Sequence, residues 1–302
     1  MRITITGANG FIGSYLTDYL DQHGHDLTLL VRRRFDSPRK QLLWNPPAGE
    51  IDRVAVDGQD VIINLAGKNV AADRWNDRVK REIIDSRVVA TELIGRTIEA
   101  SSIKPSVLLN ASAVGCYGSH RSSDYITEQT PAGPGFLAES CVKSEAATKI
   151  AEDAGVRVVT LRTGIVLDSD GGAVQRMLPF FRLGLGGKIG SGRQIMSWVA
   201  LVEIGPIIEH ILETQSIYGP VNLTAPNPVS NAEFTRALGK ALHRPAILPV
   251  PGFVLKLLFG EMAEEALIGG AKVIPQKLLD SRYKFRHTEL LPTLKAIFEK
   301  SI

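Results

Sequence analysis

Three glycines near the N-terminus have a spacing suited to binding phosphate groups. Gly7, Gly10 and Gly13 follow a short run rich in β-branched residues and lead into an amphipathic segment. In such a turn the first glycine permits a sharp bend, the second lets the backbone approach a diphosphate, and the third lets a helix pack closely on a strand. The helix N-terminus then presents N–H groups and the positive end of its dipole to the phosphates. The pattern predicts a dinucleotide site, with an ordinary glycine-rich turn as the alternative.

Arginines follow the second strand expected from the sequence, where the ribose of a bound dinucleotide would lie. Sites for NAD place an acidic residue at this point, but here Arg32, Arg33 and Arg34 follow Val31. Guanidinium groups bind a 2′-phosphate through paired hydrogen bonds, whereas a carboxylate would repel it. The sequence therefore predicts NADP as the cofactor. A solvated basic loop is the alternative.

Small residues close the next expected strand. Leu65, Ala66 and Gly67 follow Asn64, and their size would allow a nucleotide to pass close to the backbone. Packing alone would also explain them.

Alternating strand and helix patterns must position these residues. We expect strands at 2–6, 26–31, 61–65, 106–111 and 156–161, and a weak third strand near 51–56. We expect helices at 11–23, 77–100 and 137–154. This alternation predicts an α/β fold with a Rossmann doubly wound parallel sheet and ligands at the carboxyl ends of its strands. Glycine- and proline-rich connections after about residue 167 predict a smaller C-terminal α/β substrate domain. We expect an NADP-binding domain at 1–167 and a substrate-binding unit at 168–302, with a boundary that could be interleaved.

Composition narrows the class of protein. The chain has 302 residues, of which 44% are apolar and 22% charged, a balance typical of a soluble globular enzyme. The net charge of +3 is too small to indicate nucleic acid as a partner. No uninterrupted apolar run reaches the roughly 20 residues of a membrane-spanning helix, and the N-terminus does not resemble a signal peptide, so we expect a cytoplasmic protein. The two cysteines have no metal-ligand spacing, and we expect no metal.

Several motifs together resemble a known family. TGANGFIG, NLAG, NASAVGCYG and TEQTP resemble the extended short-chain dehydrogenase/reductases, the group of nucleotide-sugar epimerases and dehydratases. More narrowly, RWNDRVKREIIDSRVVAT, GSGRQIMSW and GGAKVIPQKLL resemble the atypical epimerase-like branch, and the similarity runs from Met1 to about Phe298. Members of that branch are described as NADP-dependent oxidoreductases or sugar-nucleotide epimerases, and some carry a cell-division-inhibitor label. The resemblance implies a Rossmann fold with a small C-terminal substrate domain.

The resemblance also implies further binding residues. It implies cofactor contacts at Asn9, Phe11, Ile12, Glu82, Arg87 and Ile165. Arg87 could meet a phosphate and Glu82 a ribose or adenine edge, with an exposed helical surface as the alternative. Arg193 lies in a loop that resembles the one beside the nucleotide of a sugar-nucleotide substrate, where it could bind a diphosphate. A solvated arginine is the alternative there.

The catalytic residues implied by the resemblance are incomplete. Members of the superfamily transfer a proton with a Ser or Thr and a Tyr-x-x-x-Lys pair. Ser112 and Lys143 match two of these positions, but Glu139 occupies the place of the tyrosine. A carboxylate is ionised at neutral pH and cannot act as the acid unless burial raises its pKa, and a surface salt bridge between Glu139 and Lys143 is the alternative. Tyr117 is the nearest phenol that could substitute, with simple packing as its alternative.

Two functions are consistent with these residues. One is an NADP-dependent oxidoreductase or epimerase that acts on a sugar nucleotide or another small carbonyl or hydroxyl compound. The other is a non-catalytic NADP-binding regulatory protein, either a redox sensor or a protein associated with cell division. The complete cofactor motif favours the first. Glu139, and Ala200 where related sequences have histidine, favour the second. We expect a small-molecule substrate as the partner, no membrane or nucleic acid, and a monomer or homodimer.

Overall fold

Parallel strands joined by helices form the largest element of the computed structural model, which describes residues 1–119 and 124–299. The strands are β1 (Arg2–Thr6), β2 (Asp26–Val31), β3 (Lys40–Asn45), β4 (Glu50–Ile51), β5 (Val61–Asn64), β6 (Val107–Ala113), β7 (Arg157–Thr163), β8 (Ile165–Leu167), β9 (Ile195–Met196), β10 (Trp198–Ala200), β11 (Gly219–Leu223) and β12 (Val229–Ser230). The α-helices are α1 (Phe11–Gln22), α2 (Asp77–Glu99), α3 (Phe136–Ala146), α4 (Lys149–Asp153), α5 (Gly172–Arg182), α6 (Leu201–Glu213), α7 (Asn231–Ala241), α8 (Gly252–Phe259), α9 (Gln276–Asp280) and α10 (Leu290–Glu299).

The order of the strands brings the candidate residues to one edge. The large sheet has eight strands in the order β11-β7-β6-β5-β1-β2-β3-β4. Strand β1 pairs in parallel with β2 on one side and with β5 on the other, and β6 pairs in parallel with β5. The chain order reverses between β1 and β5, so a topological switch point lies there, and open α/β sheets bind ligands at such points. This mostly parallel sheet confirms the predicted Rossmann-like α/β fold.

Burial on both faces explains why the central strands read as apolar runs. Ile3 and Ile5 of β1 are completely buried, and so are Val61, Ile62 and Ile63 of β5. Helices cover both faces of a parallel sheet, so its strands need no polar side. Helix α2 begins where Asn76 accepts a hydrogen bond from the Val79 N–H at 2.9 Å, a favourable N-cap.

The predicted third strand near 51–56 is wrong. The third parallel strand is β3, which pairs with β2, and β4 joins the sheet antiparallel to β3. Residues Arg53–Ala55 instead form a 3₁₀ turn, because the Asp52 carboxylate accepts a hydrogen bond from the Val54 N–H at 3.0 Å. Aspartate favours such local caps over a strand, which the apolar pattern alone does not reveal.

The predicted single helix at 137–154 is two helices, α3 and α4. Between them the Thr148 hydroxyl donates to the Glu145 carbonyl at 2.7 Å, and the Thr148 N–H bonds to the same oxygen at 3.1 Å. Threonine hydroxyls compete with the helical hydrogen-bond ladder in this way, so the helix is interrupted.

The chain forms two compact units, each built from three separate stretches of sequence. Unit 1 consists of Met1–Ser112, Ser140–Leu161 and Ile208–Val221, and unit 2 consists of Ala113–Glu139, Arg162–Ile207 and Asn222–Ile302. Unit 2 has its own apolar core, which includes Trp198, Phe234 and Leu294. In the part of the chain that the structure describes, no helix is both long enough and apolar enough to span a membrane.

Candidate functional site

The glycine turn after β1 has a geometry that only glycine satisfies. Gly7 has a φ of 68°, and a Cβ there would lie 2.7 Å from the Leu65 carbonyl oxygen. A Cβ on Gly13 would collide with the carbonyl oxygen of Gly7, so α1 packs directly against the turn. The Gly10 N–H donates to the Gly7 carbonyl at 2.9 Å. The turn is therefore closed, with its backbone at the carboxyl end of β1.

The first turn of α1 follows this bend and presents N–H groups. Gly10 is the N-cap residue, and no described side chain caps the helix or places an acidic group in its first turn. Asn9 and Gly10 are exposed, while Phe11 and Ile12 are half-buried. The first N–H groups of a helix have no acceptor within the helix and attract anions. The local geometry therefore fits a phosphate group.

The arginines after β2 lie next to the glycine turn in the sheet. Thr6 at the end of β1 pairs with Leu30 of β2, so residues Arg32 and Arg33 extend beyond the same edge. Both side chains are exposed, and neither has an ion-pair partner among the residues that the structure describes. Unpaired guanidinium groups at this edge fit a 2′-phosphate.

A buried polar network fastens the strands beneath this edge. The Asn64 amide nitrogen donates to the Asn110 side-chain oxygen at 2.7 Å and to the Thr91 hydroxyl at 3.1 Å. Its oxygen accepts from the Thr6 hydroxyl at 2.7 Å. The network thus joins β1, β5, β6 and α2 at one level. Fully satisfied buried networks of this kind rigidify a structure.

The same network sets the path of the loop after β5. The Thr6 hydroxyl oxygen accepts hydrogen bonds from the N–H groups of Leu65 and Ala66, each at 3.1 Å. Leu65 and Ala66 are half-buried and Gly67 is exposed. The loop therefore keeps a defined backbone path at the edge of the sheet beside the glycine turn. Sequence reasoning missed the network because Thr6, Asn64 and Asn110 are far apart in the chain.

Arg87 lies against the same loop and has few partners. Its guanidinium donates to the Ile83 carbonyl at 2.9 Å, and a Cβ on Gly67 would lie 3.2 Å from its Cζ. Burial lowers the pKa of Arg87, and the nearby Cys141 thiol partly offsets this effect. No carboxylate among the described residues pairs with it. A guanidinium with several unused donors fits an incoming anion.

Glu82 is held by a lysine that sequence reasoning did not single out. Lys68 Nζ lies 2.6 Å from the Glu82 carboxylate and 2.8 Å from that of Asp73. The hydrogen bond from Lys68 lowers the pKa of Glu82, and the charges of Lys68 and Arg78 add to this effect. The Glu82 carboxylate is therefore ionised and partly engaged at the outer side of the loop.

Ser112, at the end of β6, is paired with a carboxylate. Its hydroxyl donates to the Glu145 carboxylate of α3 at 2.6 Å, and both residues are half-buried. This is a short, charge-assisted hydrogen bond. It leaves the Ser112 oxygen able to accept a further hydrogen bond, for example from a substrate hydroxyl. Nothing in the sequence spacing indicated Glu145, because 33 positions separate the two residues.

Tyr117 lies in the interior of unit 2. Its side chain is completely buried, its hydroxyl donates to the Asn222 side-chain oxygen at 2.7 Å, and Arg162 donates to it at 3.0 Å. Burial raises the pKa of Tyr117 to about 12, although the hydrogen bond and charge of Arg162 act in the opposite direction. A phenol that is fully buried and bonded on both sides favours the packing interpretation over the catalytic one.

The remaining candidate residues are mostly at the surface. Glu139 and Lys143 of α3 are both exposed, and so is Arg193, whereas Ile165 is half-buried in β8. The exposure of Glu139 favours the surface interpretation of this residue over the catalytic one. Glu203, three residues after Ala200, was not among the predicted site residues and is a structural anchor, since it accepts hydrogen bonds from the Tyr283 hydroxyl at 2.7 Å and the His287 N–H at 3.0 Å.

Comparisons with known proteins agree with this geometry. Residues 3–222 match the model of the NAD dependent epimerase/dehydratase family, and residues 250–297 match a domain of unknown function, DUF1731. Human epimerase family protein SDR39U1 is 36% identical over 98% of this chain and 99% of its own length. Epimerase family protein Mb2239 of Mycobacterium bovis is 41% identical over 95% of this chain and 94% of its own.

A crystal structure of human SDR39U1 (isoform 2) with NADPH superposes on this chain with a TM-score of 0.91. It is 34% identical, and the match covers 99% of both chains. The strand order and the glycine turn define a Rossmann-like α/β protein. Within that class, the chain belongs to the NAD dependent epimerase/dehydratase family, in the group related to SDR39U1.

Proposed function

We propose that this chain binds NADP(H) at the carboxyl edge of β5, β1 and β2, and that it is an NADP(H)-dependent oxidoreductase or epimerase of the extended short-chain type. Its substrate would be a sugar nucleotide or another small carbonyl or hydroxyl compound. The observation that carries the proposal is the cradle of the glycine turn together with Arg32 and Arg33, whose guanidinium groups have no ion-pair partner among the described residues. The NADPH in the crystal structure of human SDR39U1 supports the choice of cofactor.

The residues present fit such a cofactor. The N–H groups at the start of α1 would hold the diphosphate, and Arg32 and Arg33 would hold the 2′-phosphate. The half-buried Arg87 would offer its unused donors to a phosphate or ribose oxygen beside Gly67. When bound, a nicotinamide dinucleotide supplies hydride transfer.

The pair formed by Ser112 and Glu145 supports the enzyme interpretation. The Ser112 oxygen can accept a proton from a substrate hydroxyl while its own proton passes to the Glu145 carboxylate, 2.6 Å away. A serine paired with a base is suited to moving a proton. The pair lies at the end of β6, next to the strand whose loop carries Leu65, Ala66 and Gly67.

A non-catalytic NADP(H)-binding regulatory protein is the second candidate. The observations that favour it are the exposure of Glu139 and the complete burial of Tyr117. Burial raises the pKa of Tyr117 to about 12, which makes its phenol a poor proton donor at neutral pH. A redox sensor would need the cofactor cradle without efficient turnover.

The cofactor proposal is tested by titrating the protein with NADPH and with NADH, following nicotinamide fluorescence. We expect the wild type to prefer NADPH, and the Arg32→Ala/Arg33→Ala variant to lose about tenfold or more in NADPH affinity, because charge-assisted hydrogen bonds to the 2′-phosphate disappear. Affinity for NADH, which has no 2′-phosphate, should change little. Arg53→Ala, which removes another exposed arginine of unit 1, is the matched control. A wild type that binds NADH as tightly as NADPH would contradict the proposal.

Activity decides between the two functions. Incubation with NADPH and a panel of carbonyl compounds and sugar nucleotides, followed at the absorbance of the reduced nicotinamide, should reveal turnover. The Ser112→Ala variant should lose it while still binding NADPH. Tight NADPH binding with no turnover across the panel would support the regulatory protein instead.

A further inference from the structure

A basic cavity lies at the C-terminal end of α7, in unit 2. It has a volume of about 450 Å³ and is lined by Arg236, Gly239, Lys240, His243, Arg244, Pro245, Ala246 and Ile247. Four of these residues can carry positive charge, and no acidic residue lines the cavity. The cavity is a shallow groove open to solvent, since six of its lining residues are exposed: Arg236, Lys240, His243, Arg244, Pro245 and Ile247. The cavity belongs neither to the cradle after β1 nor to the residues implied by the family resemblance.

The positive charges around this cavity face the negative end of the α7 dipole, which offsets part of them. Arg236 and Lys240 lie four residues apart on one face of α7, where like charges repel each other. Glu233, one turn earlier, caps the helix: its carboxylate accepts hydrogen bonds from the Ser230 hydroxyl and N–H, both at 2.7 Å. These bonds, and to a smaller extent the charge of Arg236, lower the pKa of Glu233. Lys240 has no ion-pair partner among the residues that the structure describes.

The wall opposite the helix is built by a specific backbone arrangement. His243 has a φ of 54°, and its N–H donates to the Lys240 carbonyl at 3.2 Å, as in the Schellman motif that ends many helices. It turns the chain back, and the Arg244 N–H donates to the Gly239 carbonyl at 2.9 Å. A Cβ on Gly239 would lie 2.8 Å from the Ala246 Cβ, so only glycine lets this returning segment lie against the helix.

Arg244 lines the cavity and donates to two backbone carbonyls. Its Nε donates to the Arg182 carbonyl at 3.0 Å, and its Nη1 donates to the His243 carbonyl at 3.3 Å. These bonds use two of its five donors. The guanidinium therefore starts from a restrained position, which reduces the entropy cost of binding an anion.

We propose that this cavity is a second anion-binding site that takes a small molecule with two linked phosphate groups, held by Arg236, Lys240 and Arg244. Arg236 and Lys240 lie about 6 Å apart along the axis of α7, and with Arg244 they present three separate cations, a set that suits two linked phosphates better than one. Pro245, Ala246 and Ile247 give the cavity an apolar side, against which an organic group attached to the diphosphate would pack. All of these residues belong to unit 2, whereas the glycine turn, Arg32 and Arg33 belong to unit 1.

Calorimetric titration of the full chain with pyrophosphate tests this site. The titration is run with and without excess NADPH, because the glycine turn could also bind pyrophosphate. We expect binding that persists with NADPH present, and a Kd that rises about tenfold or more in Arg236→Ala through loss of a charge-assisted contact. Lys295→Ala removes an exposed helical lysine of the same unit and should change the Kd less than about twofold.

A second variant separates the geometry of the site from its charge. Gly239→Ala leaves every charge in place but pushes the returning segment away from α7, so we expect it to weaken pyrophosphate binding while circular dichroism and NADPH affinity stay at wild-type values. Titration with a nucleoside diphosphate distinguishes the ligand source. If the nucleoside diphosphate binds more tightly than pyrophosphate, the ligand of the site is an organic diphosphate. If the two bind equally, the ligand is the inorganic ion.

Three results would overturn the proposal. The first is that the wild type does not bind pyrophosphate in the millimolar range, and the second is that the Kd is unchanged in Arg236→Ala. The third is an equal loss of pyrophosphate affinity in Lys295→Ala, which would mean that only the overall charge matters. Failure of NADPH to bind would refute the cofactor proposal alone, because the pyrophosphate titration without NADPH would still report on the second site through Arg236→Ala.

Discussion

Replacement of Asn64 by leucine tests whether the buried polar network holds the candidate site together. Leucine has the same branched shape and is somewhat larger, but it cannot form the hydrogen bonds of the amide. The Thr6 hydroxyl would lose its acceptor at 2.7 Å, and an orphaned buried donor costs about 1–3 kcal/mol. The Asn110 side-chain oxygen would keep its second donor, the Thr91 hydroxyl at 3.1 Å, so its loss is smaller. Together these effects predict a decrease of about 2–4 kcal/mol in the free energy of unfolding.

Urea unfolding followed by circular dichroism measures this change. A loss of that size corresponds to a shift of about 1 M in the urea midpoint. Because the network also positions the N–H groups of Leu65 and Ala66, NADPH affinity should fall in the same variant. Asn45→Leu, at the exposed end of β3, is the matched control and should change neither quantity appreciably. A midpoint of Asn64→Leu equal to that of the wild type would refute the role assigned to the network.

Two further predictions concern unit 2. The pKa of Tyr117 is raised from 10.0 to about 12 in the folded protein, so its contribution to stability is complete below about pH 10 and is lost as the pH rises toward 12. Unfolding free energies measured across this range should therefore fall more steeply for the wild type than for Tyr117→Phe. Parallel curves for the two proteins would contradict the raised pKa. Glu203→Gln should lower the unfolding free energy by about 1.5–3 kcal/mol and speed proteolytic cleavage near Tyr283. The reason is that an amide NH₂ would replace one of the two carboxylate oxygens that accept from the Tyr283 hydroxyl and the His287 N–H. Unchanged thermal stability together with unchanged proteolysis would argue against this anchor.

The sequence by itself determined the central elements of the sheet. Strands β1 and β2 match their predicted bounds, and the ends of β5 and α2 differ by one residue. These elements can be predicted because the pattern of apolar residues follows burial directly. A strand buried on both faces is a short apolar run, and in a surface helix the apolar residues recur with a period of 3.6 residues. The glycine turn was readable for the same reason, since its conformational demands act on single residues.

Two predicted elements were wrong because a local side-chain hydrogen bond competed with the regular backbone hydrogen bonds. Asp52 converted an apolar segment into a 3₁₀ turn, and Thr148 split the helix expected at 137–154. In both cases one polar side chain bonds to nearby backbone and outweighs the pattern of its neighbours. Such bonds are decided by geometry that hydrophobic periodicity does not encode.

Only the tertiary structure decided the environment of each candidate side chain. Motif spacing placed Tyr117 and Glu139 near the chemistry, yet the first is completely buried and the second is exposed. The partner of Ser112, Glu145, came into view only when β6 and α3 were packed together. Burial and hydrogen bonding between residues distant in the chain depend on how the elements pack, and a single sequence carries no direct record of that packing.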